Sequence, residues 1–218
     1  LLITGAASGI GRAPALRAAE MGVAVSIWDI QADGLATTAA ELANAGARVH
    51  SWVADVGDQA AVDAGIASAT AAIGPIGLLH NNAGPPSSVP MEFDAAIVAS
   101  IGSVRRVTDA WAAAGPGADA AMVVTASVAG NLIGTESNWY SASKAALMGY
   151  VRHLAAHRSG EFRSNAVAPG MTDTPRLAGF AASETGQRIL QRVPLHRMAT
   201  PDDIALTTLF LLSPAAAY

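Results

Sequence analysis

Six short runs rich in β-branched and apolar residues recur along the chain: Leu1 to Thr4, Val23 to Asp29, Arg48 to Ala54, Leu78 to Asn81, Ala121 to Ala126 and Ser164 to Ala168. Helix-length, alanine-rich stretches separate or follow them: Ile10 to Met21, Asp33 to Ala45, Asp58 to Ile73, Phe93 to Ala114, Tyr140 to Arg158 and Pro201 to Leu212. No other feature narrows the fold as much. Strands that alternate with helices pair in parallel, because each helix carries the chain back across the sheet before the next strand begins. The expectation is one α/β domain over residues 1–218: a doubly wound parallel sheet with helices on both faces, three layers in all. Its functional loops should lie at the carboxyl ends of the strands.

Composition removes several classes of function. Hydrophobic residues make up 51% and charged ones 14%, so the chain buries much of itself and is not a disordered segment. A net charge of -4 with scattered Lys and Arg gives no footprint for nucleic acid or an anionic membrane, which leaves a small-molecule site as the better expectation. The absence of cysteine excludes disulfides, thiolate metal sites and a cysteine nucleophile. None of the five histidines has neighbours at metal-ligand spacing, so no metal site is expected. Four of them read as surface or loop residues, and His80, inside a strand run, as a satisfied buried imidazole. Pro75, Pro85 and Pro86 break the longest uncharged stretch, Gly65 to Pro90, so no bilayer-spanning helix is expected. The opening residues do not resemble a signal peptide, and a soluble, cytoplasmic chain is expected.

The first strand run leads into Thr4-Gly5-Ala6-Ala7-Ser8-Gly9-Ile10-Gly11, which opens the first helix. In that context Gly5 allows a sharp turn, Gly9 lets backbone approach a pyrophosphate, and Gly11 permits close helix-to-strand packing. The free N–H groups of the helix start, with Ser8 and Ile10, would face the anion. Pro14 falls in the same helix, near enough to its start to cost little. Asp29 ends the second strand where a carboxylate can accept bonds from both adenosine ribose hydroxyls. The other reading makes it an N-cap or strand-end residue. Neither Ser8 nor Ile30 is a cation that would welcome a 2′-phosphate, which favours NAD over NADP.

From here on the chain resembles the short-chain dehydrogenase/reductase family over nearly its whole length, on a Rossmann-like sheet. Ala54-Asp55-Val56 looks like the family's adenine contact, and Asn81-Asn82-Ala83-Gly84 matches its turn after the fourth strand. Ser127, Tyr140 and Lys144 follow at the family's serine and Tyr-x-x-x-Lys separations, and positions i and i+4 share one helix face. Pro169-Gly170-Met171-Thr172-Asp173-Thr174 resembles the segment that holds the nicotinamide carboxamide through backbone, Thr172 and Thr174.

The resemblance implies an NAD-dependent oxidoreductase that interconverts a secondary alcohol and a ketone. Tyr140 would be the acid/base, Ser127 would bond the carbonyl oxygen, and Lys144 would hold the nicotinamide ribose. A substrate loop would span about 172–197. A unit charge about 4 Å away at an effective dielectric of 20 contributes about 4 kcal/mol. That is the size needed to bring a tyrosine down by about three units, so Lys144 is expected to lower the pKa of Tyr140. Homodimers or homotetramers are implied as well.

Two departures temper this. Ala99 is assigned to the place where relatives carry an asparagine that anchors a relay water, which raises the alternative of a catalytically weakened binder or sensor of the same fold. The chain also stops at Ala215-Ala216-Ala217-Tyr218, before the last strand and glycine-rich tail of the family. Flanking segments absent from this sequence are therefore expected.

Overall fold

The computed structural model describes residues 1–131, 135 and 137–218. Six parallel strands form one sheet: β1 (Leu2–Thr4), β2 (Val25–Asp29), β3 (Val49–Val53), β4 (Leu78–Asn81), β5 (Ala121–Thr125) and β6 (Arg163–Val167), in the order β3-β2-β1-β4-β5-β6. Every strand matches an expected run to within two residues, and the pairing is parallel throughout. The winding reverses between β1 and β4, and in such sheets the crevice at that reversal is where a ligand enters.

Alternate residues of each strand feed two separate cores. Leu2, Trp28, Leu79, Met122 and Val124 pack on one face against α3 (Gln59–Ile73), α5 (Ser103–Ala113) and α6 (Asn138–His157). On the other face Ile3, Val25, Ile27, Val123 and Val167 pack against α1 (Gly9–Glu20), α2 (Ala32–Asn44) and α8 (Pro201–Leu212). Both faces of β1, β2 and β5 are buried, which explains why their sequences read as continuous apolar runs. Pro14 is buried inside α1 without ending it.

Three elements depart from expectation. The stretch expected as one helix from Phe93 to Ala114 is α4 (Phe93–Ile97), a wide π-turn over Val98–Gly102, then α5. Between Thr172 and Ala199 the chain forms short 3-10 turns and one two-turn helix, α7 (Glu184–Leu190), whose first turn is capped by Ser183 Oγ accepting from Gly186 N at 3.0 Å. The third departure concerns two histidines. His50 lies between Ser26 Oγ (2.9 Å) and Ser68 Oγ (3.0 Å). His80 is fully buried, with Nε2 2.8 Å from Thr125 Oγ1 and no partner at Nδ1, and burial pushes its pKa down to about 3, so it is neutral. The expectation of a satisfied imidazole holds for one of its two nitrogens.

Candidate active site

The loops that leave β1 and β4 lie beside the winding reversal and are laced together. Thr4 Oγ1 accepts from Asn82 N (3.0 Å) and Ala83 N (3.1 Å), and Asn82 Nδ2 donates to Gly5 O at 3.1 Å. Below them Asn81 Nδ2 donates to Thr108 Oγ1 on α5 at 3.0 Å, which ties the same turn to the helix layer. Gly11 is required by contact: a Cβ there would stand 2.0 Å from Gly5 O and 2.6 Å from Asn82 Nδ2. Ser8 occupies the N-cap of α1, is exposed, and makes no side-chain cap bond. The first turn of α1 thus starts without a side-chain cap, a setting that suits an anion.

Asp29 is half-buried at the end of β2. Its Oδ2 accepts from Ala7 N and its Oδ1 from Gln31 N, each at 2.9 Å. The N-cap of α2 is Gln31, so Asp29 is not the helix cap that one reading allowed. It fastens the glycine turn to the sheet, and a carboxylate with two such bonds still has free lone pairs. Ile30 beside it is 67% exposed and places no cation there. Past β3, Asp55 is exposed with Oδ1 2.7 Å from Gly57 N, and Val56 packs partly into the first core.

Ser127 follows β5 and caps a 3-10 turn over Val128–Gly130, its Oγ accepting from Ala129 N at 3.1 Å. That turn presses directly on α6: a Cβ on Gly130 would be 2.3 Å from Ala145 N and 2.4 Å from Lys144 C. The close approach brings Ser127 to the helix that carries Tyr140 and Lys144. Lys144 Nζ donates to Thr125 O at 2.8 Å and lies 5.5 Å from the centre of the Tyr140 ring. Burial pushes the Lys144 ammonium down to about 8, with the Arg176 guanidinium adding to the fall.

Tyr140 differs from expectation. Burial raises its pKa, and hydrogen bonding from Ser127 and the field of Arg176 only partly oppose this. Lys144, itself buried so that its own charge is disfavoured, is not among the groups that lower the tyrosine's pKa.

After β6, Pro169 O accepts from Val128 N at 3.1 Å, and the buried Thr172 donates its hydroxyl to Gly170 O at 3.2 Å. Gly170 and Met171 lie between these contacts. The methyl of Thr174 would meet a Cβ on Gly9 at 3.1 Å, so this segment reaches the glycine turn from across the crevice. Thr172 and Ala199 pair as an isolated parallel bridge, with Asp173 N to Ala199 O at 2.8 Å and Ala199 N to Met171 O at 2.9 Å. The segment 172–197, expected to be the substrate loop, is therefore stapled at its ends and, from its approach to Gly9, is termed the lid.

Every residue expected to form the site thus lies at the carboxyl ends of the strands or on the helix faces beside them. In the π-turn the buried side chain is Ser100, 6% exposed, and Ala99 is its half-buried neighbour. The residue that directly precedes Ile101 and points inward therefore carries a hydroxyl. Sequence reading missed Arg176, in the lid turn Pro175–Leu177, whose Nη2 donates to Gly84 O at 3.2 Å. Its place two residues after Thr174 was the only available signal. Among the described residues no helix is long and apolar enough to cross a membrane.

Comparison with known proteins agrees with this geometry. A family model described as an enoyl-(acyl carrier protein) reductase matches residues 5–218. The (2S)-[(R)-hydroxy(phenyl)methyl]succinyl-CoA dehydrogenase subunit BbsD of Thauera aromatica is 36% identical over 96% of this chain and 87% of its own length. The solved structure of a 7α-hydroxysteroid dehydrogenase complexed with NADH and 7-oxo glycochenodeoxycholic acid superposes with a TM-score of 0.92 at 30% identity, covering 99% of this chain and 88% of that one. A single-residue variant of the actinorhodin polyketide ketoreductase with NADPH gives 0.90 at 30% identity, covering 99% and 90%. A six-stranded parallel sheet with its glycine turn at the winding reversal, matched along nearly the whole chain, places this protein in the short-chain dehydrogenase/reductase family of nucleotide-binding oxidoreductases.

Proposed function

We propose that the chain interconverts a secondary alcohol and a ketone with a nicotinamide dinucleotide, NAD in preference to NADP, and that Tyr140 exchanges the proton. The observation that carries this reading is that Ser127, Tyr140 and Lys144 come together at the carboxyl end of β5, with Lys144 fixed on Thr125 O, on the same edge of the sheet as the Gly5 to Gly11 turn that leaves β1. The residues present fit a dinucleotide: the uncapped Ser8 and the α1 N-terminus suit its diphosphate, and the free lone pairs of Asp29 suit a ribose diol. Asp55 and Val56 would border the adenine, Asn82, Ala83 and Gly84 would floor the crevice, Pro169 to Thr174 would hold the carboxamide end, and Lys144 would bond the second ribose. The dinucleotide, when bound, supplies or accepts the hydride at the carbinol carbon.

Ser127 and Tyr140 bond the substrate oxygen and share the charge that develops on it. Tyr140 gives its proton to that oxygen in reduction and takes it back in oxidation. Since burial keeps the phenol protonated without cofactor, reduction begins from the correct protonation state. Oxidation, which needs the phenolate, accelerates as pH rises toward the tyrosine's pKa. The preference for NAD rests on Asp29, whose charge opposes a 2′-phosphate, and on the apolar Ile30 beside it.

The test is Tyr140→Phe, assayed on a panel of secondary alcohols and ketones with both dinucleotides, alongside fluorescence titration of NADH. Turnover falls by roughly a thousandfold or more while NADH still binds. Retained turnover disproves the proton role, and a parent chain that turns over faster with NADP disproves the Asp29 argument.

A further inference from the structure

Arg176 belongs to the lid, yet its guanidinium rests on the opposite wall of the crevice, donating to Gly84 O at 3.2 Å in the turn laced to the glycine loop. Other arginines pair with carboxylates: Arg12 with Glu41, Arg17 with Asp202, Arg158 with Glu161 and Arg197 with Asp203. Among the described residues no carboxylate pairs with Arg176. Its field reaches Tyr140 and Lys144 instead. A second cation near a buried ammonium is unfavourable by itself, and an anion between lid and floor reverses the sign.

We propose that Arg176 is a specificity-determining residue that binds an anionic group, a carboxylate or sulfonate, on the alcohol or ketone substrate. This deepens the reading given under Proposed function and rests on it for the identity of the reacting group. The cofactor's diphosphate is the other conceivable anion. The residues that suit it lie at Ser8 to Gly11 on the start of α1, whereas Arg176 is anchored on Gly84 O after β4 and its field reaches Tyr140 and Lys144. A planar guanidinium also has the donor geometry to grip a carboxylate by two bonds while one edge stays on Gly84 O.

The experiment measures binding to the enzyme–NADH complex by cofactor fluorescence, together with kcat/KM, for acetoacetate, levulinate and benzoylpropionate, each against its own amide. The parent chain binds at least one acid tenfold or more tighter than its amide. Arg176→Gln removes that preference by weakening the acid alone, Arg176→Lys keeps part of it, and raised salt erodes it in the parent chain. No preference in the parent chain, or equal loss for acid and amide in Arg176→Gln, overturns the proposal. A weakened NADH dissociation constant in Arg176→Gln also overturns it and assigns the arginine to the diphosphate. Because binding is read separately from turnover, a chain that binds acids through Arg176 but reduces nothing fails the oxidoreductase reading only.

Discussion

The two walls of the crevice are built in opposite ways. Behind the glycine turn, neighbouring loops grip one another along their length: Thr4 holds Asn82 and Ala83, Asn82 holds Gly5, and Asp29 holds Ala7. The lid is fastened at its ends by the Thr172–Ala199 bridge and stabilised between them by local bonds such as the Ser183 cap. Few of its residues are buried. The first wall can hold a ligand part that never changes, and the second can open and admit different substrates, since segments with few buried contacts open at low free-energy cost.

The largest effect expected from attacking this contrast comes from Gly11→Ala. The new methyl would lie 2.0 Å from a backbone oxygen, and no rotamer relieves a clash with backbone. Either α1 or the Gly5 turn must move, at a cost of about 1–3 kcal/mol in overpacking, with NADH affinity reduced by about 100-fold or more. Thermal unfolding and NADH titration check both numbers. An unchanged affinity would mean that the glycine wall is no more rigid than the lid.

An intermediate effect concerns α6, which stands beside both walls. Lys144 keeps an ammonium at a buried position where its pKa falls to about 8 from the ordinary 10.5. A lysine lowered on folding destabilises the native state while both states are charged. That penalty is full below about pH 8, shrinks as pH rises through the folded value, and is gone above the unfolded one. Its size is roughly 3 kcal/mol at neutral pH, reduced in a variant by the unpaired Thr125 carbonyl. Lys144→Met should therefore abolish turnover yet raise the melting temperature of the cofactor-free chain by several degrees at pH 7, with the gain fading by about pH 10.5. A variant less stable at pH 7 would show that the bond to Thr125 outweighs burial of the charge.

The contrast also marks how far the sequence was legible. Strands buried on both faces announce themselves, and β4 runs from Leu78 to Asn81 as its residues indicate. The glycine spacing placed the α1 turn because each close contact there excludes any other residue. The π-turn at Val98–Gly102 was invisible: one extra residue leaves the helical apolar pattern intact on either side, while changing which side chain, Ala99 or Ser100, faces inward. Similarly, Tyr140 and Lys144 were visible as a pair, but not the direction of the ammonium, which Thr125 O decides. Arg176 escaped because the lid has no periodicity to organise its residues, and only folding reveals that position 176 reaches Gly84.

The smallest effect should come from Ser183→Ala, which removes the cap of α7 and its bond to Gly186 N. Such a loss costs about 1 kcal/mol in the helix concerned. Confined to a lid stapled at its ends, that cost appears as local opening: amide exchange over Glu184–Leu190 accelerates by about fivefold, while the melting temperature and NADH affinity stay as in the parent chain. Exchange spectra with and without NADH provide the check. If the melting temperature falls with the exchange protection, the lid unfolds together with the sheet, and the division between a fixed wall and an adaptable one fails.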